Sequence, residues 1–372
     1  MGNGCVIKRG STWAAIISRT DRATGKRSRD YYSGFKTEKE AKAKLRKLLV
    51  AKDDGVYVEP HKRTVKEYVE TWLREWLPNK AGRQTIERNE HAAAHIIAAL
   101  GAVPIQKVTP EDINRLVRDL RQRFAPRSVR MVYRLAKRIW VHAYKHGDVR
   151  RDIFALLEAP AVPHSEAAVL KPDETQRMLD ALSDAYRVLA ILGLGTGMRR
   201  GEMLALRWDA VNLDRGELSV RQSLEQTRAG LRFKDPKTVR ARRTISLPPS
   251  VVGALDEHRK DQLELRMKLG LGKPSADALV FCDHEGNPLR PDSVSQRFLE
   301  AMQRAGLDHV GLHTLRHTHA SALLAAGEDV ISVSRRLGHA NAAITLNVYG
   351  HLMTPVGRAA EIAEGLFRWQ SR

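Results

Sequence analysis

The chain has only two cysteines in 372 residues, Cys5 and Cys282. They form no CxxC pair and no disulfide framework, which argues against a disulfide-stapled secreted scaffold and fits a reducing cytoplasm. Long apolar runs are missing too. The longest, Val188 to Leu194, is too short to cross a bilayer, so no membrane association is expected. No secretory signal is visible. The opening MGNGCV lacks the Ser or Thr that N-myristoylation wants at the sixth position, where Val6 stands. Internal repeats and low-complexity tracts are absent. The scarce charge is the negative one: 43 Asp and Glu face 63 Lys and Arg, leaving +20 and a pI of about 10.2. Such an excess points to a polyanionic partner, and nucleic acid fits best.

What is present suits a multidomain protein, mainly α with small β elements. Hydrophobic residues make up 42%, enough for a sizeable core in two or three domains. The first segment, 1–58, holds half the charge excess, with 14 Lys and Arg against 4 Asp and Glu by residue 52. Trp13, Ala15 and Ile17 alternate as one face of a strand, Asp21 to Lys26 reads as a turn, and Tyr31, Tyr32 and Phe35 suggest more strand. Thr37 with Glu40 predicts a capping box that opens a basic helix to Lys52. A small α+β module follows, with a β-ribbon whose Lys26, Arg27 and Arg29 are candidate DNA contacts.

The second segment, 63–160, reads as helical. Thr64 with Glu67 predicts one capping box, and Thr109-Pro110 a second helix start. From Ala125 to His146, Arg127, Arg130, Arg134 and Lys137 form one cationic stripe, while Val132, Leu135, Ile139 and Ala143 form another face. The stripe is nearly single-signed, which suits a helix tracking phosphates. APAVPHSE, 159–166, reads as a linker. The third segment, 167–372, begins with the helix start Lys171-Pro172 and continues mostly helical, with strands over about 217–247.

This third segment carries the chemistry. Thr196-Gly197-Met198-Arg199-Arg200-Gly201-Glu202 ends one apolar helix and opens another, with glycines that let the backbone aim a guanidinium. The preceding Gly193 and Gly195 resemble a dinucleotide loop only superficially, because Met198 stands where the third glycine belongs. Leu231 to Phe233 and Thr244 to Leu247 are expected to form a two-stranded ribbon, with Lys237 at its tip and Arg240, Arg242 and Arg243 beside it. In His313-Thr-Leu-Arg316-His317-Thr-His319, no Glu follows His313, so HExxH fails and no metal is expected. Asn341 caps a short helix that ends at Tyr349.

Breaking a phosphodiester needs a nucleophile, charge on the non-bridging oxygens and a proton for the departing oxygen. Arginines supply bidentate charge. Histidine moves protons near neutral pH. A tyrosine hydroxyl forms a covalent phosphotyrosyl that preserves the bond energy, so neither metal nor nucleotide cofactor is required. The chain offers Arg, Lys, His, Arg, His and Tyr in that order.

The ordered elements TGMRRGE, PKT, HTLRH, LGH and NVYGH resemble those of the tyrosine recombinase (phage integrase) family over 167–352. The resemblance implies that Arg199 and Arg316 clamp the phosphate, Lys237 is the ribbon general acid, His313 is a general base or proton shuttle, His339 supports the phosphate and Tyr349 is the nucleophile. Thr314 departs from the pattern, which often has Asp there. The resemblance further implies an α+β arm-binding domain (1–58), a helical core-binding domain (63–160) and a mixed, mostly α catalytic domain (167–372). The expected activity is cutting and rejoining of double-stranded DNA attachment sites, core and arm, through a 3′-phosphotyrosyl intermediate and a Holliday junction. The expected assembly is a homotetramer on synapsed DNA, with an excisionase or DNA-bending protein as accessory partner, at the nucleoid. Two other readings share these residues. One is a DNA-binding regulator that does not cut, and the other a type IB topoisomerase-like strand transferase.

Overall fold

The computed structural model describes residues 4–20, 27–54, 57–163, 168–235 and 242–349. By packing, the chain divides into two units, Met1–His164 and Ser165–Arg372. The boundary falls within the proline-bearing stretch expected as a linker.

The first unit opens with β1 (Gly4–Arg9), β2 (Thr12–Thr20) and β3 (Arg27–Phe35), an antiparallel sheet in that order, followed by α1 (Glu38–Asp53). Gly10, at φ 59, permits the two-residue link between β1 and β2. Trp13 pairs with Phe35 but Ala15 with Tyr32, so β3 bulges at Ser33-Gly34, where Gly34 takes φ 96. The alternation expected of β2 is not seen: Ala14, Ala15, Ile16 and Ile17 are all buried, so this central strand is covered on both faces. The Thr37 box is half formed. Thr37 Oγ1 accepts from Glu40 N at 3.2 Å, but Glu40 Oε2 takes Lys36 N at 3.0 Å instead of the cap's own amide.

The helical part of this unit comprises α2 (Val65–Thr71), a π-helical turn (Trp72–Trp76), α3 (Arg83–Leu100), α4 (Pro110–Arg121) and α5 (Pro126–Lys145). Both expected starts are complete capping boxes, Thr64 with Glu67 and Thr109 with Asp112. The segment meets the N-terminal sheet through Arg150, whose Nη2 donates to Tyr32 Oη at 3.4 Å, and the stretch after α1 through Gln106 Nε2, which donates to Glu59 O at 2.7 Å. Val132, Leu135, Ile139 and Ala143 of α5 are buried in one core with Trp140 and Phe154.

The second unit continues with α6 (Pro172–Ala181), α7 (Asp184–Thr196), α8 (Arg200–Leu204), β4 (Val211–Asn212), β5 (Glu217–Val220), β6 (Ser223–Thr227), β7 (Gly230–Lys234), β8 (Arg243–Ser246), α9 (Pro249–Lys268), α10 (Pro291–Arg304), α11 (Leu312–Ala325), α12 (Val330–Leu337) and α13 (Ala342–Tyr349). Val188 to Leu194 lies in α7, a helix and not a strand. A Cβ at Gly193 would stand 2.9 Å from Leu315 Cδ1, and one at Gly195 would collide with Val251. These glycines therefore let α7 approach α11 and α9 closely. The expected ribbon is also redrawn. β7 pairs with β6, and β8 pairs with β5, so Leu231–Phe233 and Thr244–Ser246 belong to different sheets. The local sequence signals strands here but does not name their partners. Among the described residues no helix is long and apolar enough to cross a membrane.

Trp140 is 1% exposed at the centre of the helical core. Trp140→Ala is expected to cost roughly 3–5 kcal/mol. Urea denaturation should show this as an earlier midpoint for the first unit, with the second unit's transition in place.

Candidate active site

The site begins at a helix end. Gly197 closes α7 in the left-handed conformation, φ 65, and Arg199 then serves as the residue before α8. A Cβ on Gly197 would stand 2.7 Å from both His319 Cδ2 and Leu337 Cδ2, so only glycine fits. Gly338 closes α12 in the same way, at φ 67. Each cap leaves backbone carbonyls without helical partners. Arg316, from α11 and 2% exposed, serves both: Nη1 donates to Gly197 O at 2.7 Å and Nη2 to Leu337 O at 2.9 Å. Arg199 Nη2 donates to Gly338 O at 3.2 Å. Two guanidiniums from distant parts of the sequence therefore meet at the end of α12.

Glu202 supplies the counter-charge. Its carboxylate, 7% exposed, accepts from Arg199 N at 2.9 Å and Arg199 Nη1 at 2.8 Å, and pairs with Arg243 Nη2 at 2.8 Å. Burial alone would raise its pKa, but the Arg243 hydrogen bond and charge, and then Arg199, outweigh this and hold it below the ordinary range. Burial pushes Arg316 down to about 9, helped by the Arg199 charge and opposed by Glu202. The cluster is thus short of negative charge, and a bound phosphate would supply it.

His313 is on the same helix as Arg316, and burial followed by the Arg316 and Arg199 charges lowers its pKa. Thr314 makes good the departure noted above: Gly311 N donates to its Oγ1 at 3.0 Å, closing the start of α11. His339 Nδ1 lies 2.8 Å from the buried Thr345 hydroxyl. Burial and then the Arg316 and Arg199 charges depress it to about 4. Asn341 accepts from Ala343 N at 2.9 Å and starts α13, which ends on Tyr349. Tyr349 is 2% exposed, and burial raises its hydroxyl to about 12, moderated by Arg316. Its Oη lies 2.6 Å from His317 Nδ1.

Five of the six expected catalytic residues, Arg199, His313, Arg316, His339 and Tyr349, thus belong to one hydrogen-bonded and electrostatic cluster. Lys237 lies outside the described residues, as do Arg240, the Asp21–Lys26 turn and the tail after Tyr349. Among the expected DNA contacts, Arg29, Arg127, Arg134, Lys137 and Arg242 are exposed, and Arg130 is half-buried. Lys26 and the Arg27 side chain fall outside the described residues. Arg243 is a correction. Its side chain is 7% exposed, its Nε donates to Arg336 O at 2.6 Å, and it holds Glu202 from below. Arginine on a strand beside other cations carries no local sign of burial. Glu202 did carry a signal: it stands three residues after Arg199, in capping-box spacing.

Residues 168–354 match the model of the phage integrase family. Residues 6–51 match that of an arm DNA-binding domain, and 64–121 that of a phage integrase N-terminal SAM-like domain. The chain belongs to the phage integrase family. It is a tyrosine site-specific recombinase of the integrase type. It is 31% identical over 370 residues to an integrase of Streptomyces ambofaciens, covering 96% of this chain and 94% of that protein. The fold is similar to that of the Tn1549 transposon integrase in complex with a circular intermediate DNA. The TM-score is 0.69 at 19% identity, over 82% of this chain and 99% of that one. It is also similar to lambda integrase, solved as a tetramer bound to a Holliday junction. There the TM-score is 0.58 at 18% identity, over 91% and 96% of the two chains.

Glu202→Gln keeps the shape and removes the charge that Arg199 and Arg243 share. Truncating a buried pair typically costs about 3–5 kcal/mol. Because the folded pKa is depressed, the carboxylate's contribution is complete above its unfolded value of 4.5 and fades as pH falls through the lower folded value. The variant should therefore be less stable at pH 7, with the gap to the parent narrowing below about pH 4.5 in chemical denaturation.

Proposed function

We propose that Tyr349 is the nucleophile of this recombinase and that Arg199, Lys237, His313, Arg316 and His339 serve it. Tyr349 Oη attacks the scissile phosphorus and the P–O5′ bond breaks, leaving the DNA joined to the protein by a 3′-phosphotyrosyl link. Arg199 and Arg316 hold the non-bridging oxygens, where charge builds in the transition state. Lys237 protonates O5′. His339 supports the phosphate, and His313 shuttles protons beside it. A free 5′ hydroxyl of the partner duplex then attacks the phosphotyrosyl, and the exchange produces a Holliday junction. The observation that carries this reading is that two guanidiniums, Arg199 and Arg316, meet at the end of α12 beside a buried tyrosine hydroxyl on which the Arg316 charge acts. That arrangement attracts an anion and presents it to a nucleophile.

The same reading assigns the three segments. Residues 1–58 bind arm sites, 63–160 bind core sites, and 167–372 cut. Four copies act on two synapsed attachment sites of a phage or mobile element, with an excisionase or a DNA-bending protein setting direction, in the cytoplasm at the nucleoid. The exposed stripe Arg127, Arg134 and Lys137 on α5 supports phosphate contact by the second segment.

Two measurements test this. A nicked suicide substrate should trap a covalent protein–DNA complex with the parent and none with Tyr349→Phe, while both bind DNA equally. A covalent complex with Tyr349→Phe would remove Tyr349 from the role. For the stripe, Arg134→Ala and Lys137→Ala should each flatten the plot of log affinity against log salt by about 0.9. Unchanged slopes would place the DNA elsewhere.

A further inference from the structure

The second of the three histidines on α11 is a residue to which the reading above gives no part. His317 touches the reacting atom, since its Nδ1 is 2.6 Å from Tyr349 Oη. No other described side chain has a hydrogen bond to that hydroxyl. His313 stacks edge to face on His317, with ring centroids 4.6 Å apart. His339 is turned to Thr345. The neighbouring His319 is fully engaged in another way. Its Nδ1 donates to Leu194 O at 2.7 Å, and its Nε2 accepts from Arg336 Nε at 3.0 Å, which fixes one tautomer and leaves no site for a proton. Of the four histidines around the cluster, one alone is in line with the nucleophile.

We infer that His317 is a catalytic residue of strand cleavage, the group that takes the Tyr349 proton. The inference rests on Tyr349 being the nucleophile. In the tautomer protonated at Nε2, Nδ1 accepts from the tyrosine hydroxyl. As the Oη–P bond forms and the P–O5′ bond breaks, the phenolic proton passes to Nδ1, giving an imidazolium. The departing O5′ takes a separate proton from the general acid. In the rejoining step the imidazolium returns its proton to the phenolate oxygen as the 5′ hydroxyl displaces it, so the residue ends as it began.

The surroundings explain why this exchange waits for DNA. The titratable and charged groups facing His317 are His313 and Arg316 on its own helix and Tyr349 on α13. Burial, then His313 and Arg316, lower its pKa to about 4, while burial raises Tyr349 to about 12. The proton therefore stays on the tyrosine in the free protein. A phosphate seated on Arg316 neutralises a cation that opposes an imidazolium at His317, so the imidazole becomes a better proton acceptor.

The test uses the full chain, single-turnover cleavage and two substrates. One is an ordinary nicked core site. The other carries a bridging 5′-phosphorothiolate, whose sulfur leaves without being protonated. His317→Asn offers an oxygen near the place of Nδ1 but cannot hold a proton. It should bind DNA as the parent does, cleave on the order of 10²-fold more slowly or worse, and stay equally slow on the phosphorothiolate. The parent's rate should fall on the acid side as one group protonates, and that limb should vanish in the variant. Parent-like rates and pH profile would overturn the inference. So would recovery on the phosphorothiolate, which would assign His317 to the leaving group. If Asn disturbs folding, His317→Ala with and without added imidazole decides: restored cleavage supports the role, and a folded, DNA-binding protein that imidazole does not restore refutes it. Tyr349→Phe, run alongside, separates an error about the nucleophile from an error about its base.

Discussion

One buried guanidinium orders the second unit. Arg316 is 2% exposed and donates to carbonyls at the ends of two different helices, Gly197 O after α7 and Leu337 O at the end of α12. Helix ends leave such carbonyls without partners, and burying them unpaired is costly. A single side chain from α11 satisfies one on each side. The same bonds fix the direction of the guanidinium and hold three helices together. Both helix ends turn through left-handed glycines, Gly197 and Gly338, which lets the carbonyls converge on one point.

Glu202 extends this arrangement to the sheet. It carries the Arg199 backbone and side chain on one side and Arg243 of β8 on the other. Arg243 lies six residues after Lys237, and Lys234 before it pairs with Glu225 of β6 at 3.1 Å. The connection that bears Lys237 is therefore anchored at both of its ends, one of them through the carboxylate that orients Arg199.

Much of the fold was readable from periodicity and capping. Thr64 with Glu67, Thr109 with Pro110, and the buried face of α5 are local signals, because a helix start and a helix face are written within a few residues. Strand pairing was not readable. Leu231–Phe233 and Thr244–Ser246 each look like strand, yet their partners, β6 and β5, are chosen by tertiary packing. The alternation of β2 misled for a related reason: a central strand covered on both faces loses the period of two.

The sequence by itself determined the chemical inventory: a net positive charge, an ordered set of Arg, Lys, His, Arg, His and Tyr, and the helix caps that place Arg199 and Tyr349 at element ends. Residue type and local spacing suffice for that much. Only the tertiary structure decided which cations face solvent and which are buried. Arg134 and Lys137 stand exposed, whereas Arg243 is buried against Glu202. It also decided which histidine meets the Tyr349 hydroxyl, His317 and not His313. The reason is physical. Burial and side-chain partners depend on which helices and strands pack together across long stretches of chain, and adjacent positions on one helix can face entirely different surroundings.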